Sequence, residues 1–193
     1  AYDLADEGRG LLEQDRYEEA VEALQHALTL APKLAYARNN LSLAYFCMRD
    51  NKRAAAEARA VLREDPKNVQ AMCNLSMILH TAHDDEGANR MADALLQEET
   101  EDPEELNRMA LVLMDLDRFE QAYEVMQRLV RYYPYETGAV HRLGVCAYET
   151  GRYREATECY DKLLKINAGD TVARYYRGLC RAAQTGGAPH GRK

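Results

Sequence analysis

Asn40, Asn74, Arg108 and Arg142 stand 34 residues apart and carry the most explicit binding chemistry in the chain. A side-chain amide both donates and accepts, so Asn40 and Asn74 can pair with the backbone of an extended segment whatever its sequence. The guanidiniums of Arg108 and Arg142 can hold a carboxylate or phosphate through forked, charge-assisted hydrogen bonds. The same row has a second reading, in which it is a partly exposed helix face and each arginine pairs with a nearby acid such as Glu104 or Glu149.

Other reactive residues form weaker patterns. Cys73, Met77 and His80 share one helix face at i, i+4 and i+7, with Cys47 nearby, a donor set that suits a soft metal such as Cu(I) or Zn. A groove of ordinary medium-sized side chains accounts for the same residues, and no metal is expected. Ser42 and Ser76 occupy a packing column and are not exposed nucleophiles. His141 and Cys146 are five residues apart and share a helix without sharing a face. Gly186-Gly187 follows no strand and cannot cradle a phosphate. No catalytic constellation emerges, so neither an enzyme nor a cofactor is expected.

The elements that must position these residues follow from the spacing. Alanine recurs at 20, 54, 88, 122 and 156, each 34 residues from the last. A small residue keeps the same step at Gly8, Ser42, Ser76, Ala110, Gly144 and Gly178, and a branched apolar one at Leu28, Leu62, Leu96, Val130 and Leu164. Within each copy the apolar residues fall at helical spacing in two blocks, as in Leu75 and Leu79, then Ala88, Met91, Ala92 and Leu95. A fixed period of this length signals stacked copies of one unit, here two antiparallel helices whose small and alanine columns allow close backbone approach. Asp102-Pro103-Glu104-Glu105 reads as an N-cap, a proline at the first helical position and acids at the positive helix end.

These columns, with Pro32, Pro66 and Pro134 closing three units, resemble the tetratricopeptide repeat. There is no tryptophan, and Thr100 and Ala168 replace two closing prolines. The resemblance implies an all-α, right-handed α-solenoid spanning 1–184, with repeats at 1–34, 35–68, 69–102, 103–136 and 137–170 and a capping helix at about 171–184. That helix is expected to cover Leu143, Ala147 and Tyr160 with Val172, Tyr175 and Leu179. The resemblance further places positions 2, 5, 6, 9, 12 and 13 of each unit in a peptide-binding groove. Carried onto this chain they supply Tyr2, Tyr36, Leu43, Phe46, Met77, Leu111, Met114, Tyr148 and Tyr175 as apolar surface. Asn39, Asn40, Asn74, His80, Asn107, Arg108, His141 and Arg142 are the polar handles. The carboxylate clamp of some relatives is not matched, since Leu43 and Glu104 stand where it wants Asn and Lys.

Composition limits the partners. Residues 1–130 hold 14 basic against 26 acidic side chains, and 131–193 hold 11 against 6, so one end is acidic and the other mildly basic. Ten carboxylates lie between Asp84 and Glu105 with only Arg90 to oppose them, read as a solvated surface before a basic-partner site. Nucleic acid is not expected, because phosphate binding needs a continuous basic stripe. There is neither a charged-then-apolar leader nor a run of 18 apolar residues, and five scattered cysteines suit a reducing compartment, so a cytoplasmic location without membrane contact is expected. Residues 185–193 read as a disordered tail. The expected function is a protein- or peptide-binding scaffold or adaptor, taking an extended acidic segment or a C-terminus, with weak self-association through the ends as a further property. Because the chain starts with Ala, the alternative is a regulatory or recruiting segment of a larger enzyme or transcription regulator.

Overall fold

One residue in each copy turns the chain. Asp15, Arg49, His83, Asp117 and Gly151, again 34 apart, all adopt positive φ, with 57° at Asp117 and 76° at Gly151. The amide that follows each one donates to a carbonyl five residues back, as Arg16 N does to Leu11 O and Arg152 N to Ala147 O. This left-handed closure satisfies the end of the first helix and reverses the chain. Only Gly151 adopts it without a Cβ penalty.

The computed structural model describes residues 1–185, and among these it contains eleven helices and no strand. First helices are α1 (Tyr2–Leu12), α3 (Ala35–Cys47), α5 (Val69–Thr81), α7 (Pro103–Asp115), α9 (Thr137–Glu149) and α11 (Thr171–Gln184). Second helices are α2 (Tyr17–Leu30), α4 (Asn51–Glu64), α6 (Asp85–Leu95), α8 (Phe119–Tyr132) and α10 (Tyr153–Ile166). Beyond Thr185 the expected tail falls outside the described residues. No helix among the described residues is long and apolar enough to cross a membrane.

The chain divides into two compact units, Ala1–Glu99 and Thr100–Lys193. In the first, α1 to α6 pack each on the next, and α3 also touches α1 and α5. In the second, α7 to α11 pack each on the next. The division falls where α6 ends, after 11 residues instead of the 14 of every other second helix. Glu98, Glu99, Glu101 and Asp102 follow it, and negative charge is unfavourable at the negative end of a helix. The acids have local partners: Asp84 caps α6 through Gly87 N at 2.9 Å, and Asp102 caps α7 through Glu104 N and Glu105 N, both at 2.9 Å.

The repeating columns form the core of each unit. Ala20, Ala54, Ala88, Ala122 and Ala156 are all fully buried. Ser42 Oγ donates to Ala54 O at 2.9 Å and Ser76 Oγ to Ala88 O at 3.0 Å, so the small column also ties first helix to second. Where the column is glycine, a large side chain fills the space: a Cβ on Gly8 would stand 2.5 Å from Leu24, and one on Gly144 2.9 Å from Tyr160. Burying a side chain such as Leu24 stabilises by about 1.5–3 kcal/mol.

Arg38 and Arg174, which share one column, tether their units: Arg38 donates twice to Pro32 O (3.1 and 2.9 Å) and Arg174 donates to Ala168 O (2.6 Å). One detail departs from the sequence expectation. Helix α11 forms and packs on α10, but its inward face is Ala173, Tyr176 and Cys180. Val172 is 49% and Tyr175 63% exposed. The buried face follows the columns that place Ala37, Ala71 and Ala139 against the preceding repeat, one residue out of phase with the expected set.

Candidate functional site

In the first unit Asn40 and Asn74 sit on the face that each first helix turns toward its predecessor, and Asn39 meets the start of the following repeat. Asn39, Asn40 and Asn74 are only 2%, 3% and 4% exposed. Asn74 Nδ2 donates to Asn39 O at 2.9 Å, joining α5 to α3, and Asn39 Nδ2 donates to Asn68 Oδ1 at 3.0 Å. Position 6 lies between the buried positions 3 and 10, which is why Asn40 and Asn74 turn into a helix interface instead of forming an open amide ladder. Tyr36 Oη donates to Asp6 Oδ1 at 2.8 Å, and burial, with Asp6, pushes its pKa up. Asn40 lies beside that hydroxyl and opposes the rise. Asn40 Nδ2 and Asn39 Oδ1 are buried with no protein partner.

The same unit keeps an accessible apolar strip. Leu43, Phe46 and Met77 are half-buried, and exposed His80 pairs through Nδ1 with Asp85 Oδ1 at 3.0 Å. Cys73 is buried while His80 is exposed, so the structure does not bring Cys73, Met77 and His80 together at one open surface. Tyr2 is 67% exposed, in a separate cleft with Pro32, Leu34 and Tyr36.

The second unit places Asn107 and Arg142 at one site and His141, Tyr148 and Tyr175 at another, with Arg108 at neither. The first is a cleft of about 370 Å³ lined by Pro103, Glu104 and Asn107 from α7, Leu129 and Tyr133 from α8 and its end, and Glu136 and Arg142 at the start of α9. Asn107 Oδ1 and Arg142 Nε are both buried and both lack a protein partner. The Arg142 guanidinium passes over Gly138, where a Cβ would stand 3.3 Å from its Nη2. Arg108 meets Glu104 at 3.6 Å, an exposed i, i+4 pair of little strength. Leu111 is exposed and Met114 half-buried on the same helix.

The second place is an aromatic cluster. Tyr160, fully buried, stacks on Tyr176 at 5.4 Å and 16°. His141 lies edge-on to both rings at 5.9 Å, Tyr148 contacts Tyr153 and Tyr176, and Tyr175 contacts Tyr176. His141 Nε2 is buried without a partner, and burial pushes the imidazole pKa down, assisted by Arg142 against Asp170. Burial likewise pushes the Tyr160 hydroxyl pKa up. His141 and Tyr148 therefore belong largely to packing between α9, α10 and α11. Tyr133, Leu129 and Glu136 were missed from the sequence; the signal was Tyr133 immediately before the closing Pro134.

Models of the tetratricopeptide repeat match residues 5–68 and 113–180. Comparison with curated proteins gave no match. The fold resembles that of Pseudomonas aeruginosa PilF, with 22% identity over 96% of this chain and 92% of that one and a TM-score of 0.64. It also resembles a thermophilic repeat protein of Thermus thermophilus, with 16% identity, 93% and 97% coverage and a TM-score of 0.67. A third similar structure is YrrB, described as a repeat protein with an unusual peptide-binding site, with 18% identity, 91% and 90% coverage and a TM-score of 0.59.

Proposed function

Because the chain belongs to the tetratricopeptide repeat family, whose fold generally mediates protein–protein interaction, we propose that it is a non-enzymatic scaffold that binds an extended peptide segment through the cleft of its second unit. The observation that carries this reading is the pair of orphaned atoms, Asn107 Oδ1 and Arg142 Nε, buried at one cleft. A buried polar atom without a partner is destabilising by about 1–3 kcal/mol, so a ligand that satisfies both gains from each. A peptide backbone supplies the two complements: an N–H for Asn107 and a carbonyl, or a terminal carboxylate, for Arg142. Tyr133, 43% exposed, offers apolar surface for a neighbouring side chain, with buried Leu129 beneath it. Glu104 and Glu136 keep the site from being simply an anion hole.

The apolar strip Leu43, Phe46 and Met77, flanked by His80, is a second contact surface in the first unit. The asparagines there hold helices together. A reducing compartment such as the cytoplasm suits the five free thiols.

The test is a selection from a random peptide library, followed by titration of the enriched peptides. Arg142→Ala and Asn107→Ala should each weaken binding by about tenfold, with the circular dichroism spectrum unchanged. Equal binding by wild type and both variants would remove the cleft from the account.

A further inference from the structure

Helix α11 is the first helix of a sixth unit, and its hairpin face differs in kind from the others. In the fourth repeat the corresponding residues are Leu106, Met109, Ala110 and Leu113, all fully buried against the second helix. In α11 they are Arg174, Arg177, Gly178 and Arg181. Gly178 is exposed, and a Cβ built there would meet nothing within 4 Å. The glycines of the same column, Gly8 and Gly144, are each covered by a large side chain of a second helix, Leu24 and Tyr160. A glycine inside an exposed helix weakens it relative to alanine, and nothing in the described residues uses the space it leaves. The alanine column would continue at position 190, which is His190.

Charge defines what fits over that glycine. Arg177 and Arg181 share one carboxylate, Asp161, at 3.0 and 3.7 Å, and Arg174 donates to the neutral carbonyl of Ala168. Three guanidiniums therefore surround an open glycine, and two of them share one acid. A purely solvated cap needs the charges but not the glycine, nor the exposed Val172 and Tyr175 on the adjoining face. We propose that α11 docks an acidic amphipathic helix of a partner protein, with a large apolar side chain over Gly178 and carboxylates reaching Arg174, Arg177 and Arg181. The partner helix takes the place that a second helix occupies in the other repeats. The face is distinct from the peptide cleft and shares no residue with it.

A labelled peptide of residues 84–99 is a suitable probe, since it carries six acids against Arg90 and already packs as a second helix over the small column at Ser76. Fluorescence anisotropy with the full chain should show saturable binding that weakens as salt rises. Gly178→Leu, which fills the seat with a good helix former, should reduce affinity by about tenfold while keeping the fold, as should the double variant Arg174→Glu, Arg181→Glu. The same peptide with its acids changed to amides should not bind. Absence of saturable binding, or binding that survives Gly178→Leu, overturns the proposal. Concentration-dependent dimerisation abolished by Gly178→Leu, without peptide binding, would assign the face to a second copy of the chain and overturn it equally.

Discussion

Gly144 and Gly178 occupy one column, so the same substitution at each isolates what a facing helix does. Glycine to alanine inside a helix gains about 0.8–1.0 kcal/mol of propensity at either site. At Gly178 nothing lies within 4 Å of the new Cβ, and the whole gain should appear as added stability. At Gly144 the Cβ would stand 2.9 Å from Tyr160 Cζ and 3.2 Å from Cys159 Cβ, inside the roughly 3.5–4.0 Å of good carbon contact. Tyr160 has little room to yield, being fully buried and stacked on Tyr176. Overpacking of this kind is destabilising by about 1–3 kcal/mol, so Gly144→Ala should be neutral to about 2 kcal/mol destabilising. Because propensity cancels, the gap between the two variants is the overpacking alone, again about 1–3 kcal/mol. Urea denaturation followed by circular dichroism reads it as a difference in midpoint at constant slope. Equal stabilisation by both variants would show that Tyr160 does not seat on Gly144, and the hairpin geometry would be wrong.

Asn74→Ala removes a buried hydrogen bond between α5 and α3 and should destabilise by about 1–2 kcal/mol in the same assay; unchanged stability with lost peptide binding would return that amide to a ligand role. Burial holds the folded pKa of His141 below its ordinary 6.5, so the unfolded chain protonates first, and stability present above that pH should fall as pH drops through it, a slope that His141→Phe should flatten. Arg49→Gly relieves a left-handed residue at φ 64° and should raise stability by about 1 kcal/mol, with no change contradicting the turn assignment. Burial pushes the Cys146 thiol up to about 12 and Cys159 to about 11, so Ellman's reagent at mildly alkaline pH should reach half-buried Cys47 first and these two only after unfolding.

The hairpins were legible because period and packing share one cause: Ala20, Ala54, Ala88, Ala122 and Ala156 recur where backbones touch, and all are fully buried. The site was less legible because a column reports a direction, while exposure depends on the neighbouring helix. Asn40 and Asn74 suggest an open amide row, yet the apolar columns on either side, Ala37 and Ala71 on one and Ala44 and Ile78 on the other, are buried and make that face an interface. The same phase error put Val172 and Tyr175 inside α11 in place of Ala173 and Tyr176. Left-handed turns at Asp15, Arg49, His83 and Asp117 are not legible in the sequence because only the fifth repeat advertises the conformation with glycine, at Gly151. An unbroken 34-residue phase gave no hint of two compact units, although the acid run after Leu96 held the physical reason for the short α6.

In the proposed site a backbone amide of the peptide meets Asn107 Oδ1, and an N-methyl scan of a selected peptide tests that contact most directly. Each peptide amide is methylated in turn and every analogue is titrated against wild type and Asn107→Ala. One methylation should weaken binding to wild type by about tenfold and have no further effect on Asn107→Ala, the signature of a shared contact in a double-mutant cycle. Independent, additive losses at every position would show that Asn107 does not receive the peptide and would contradict the proposed binding site.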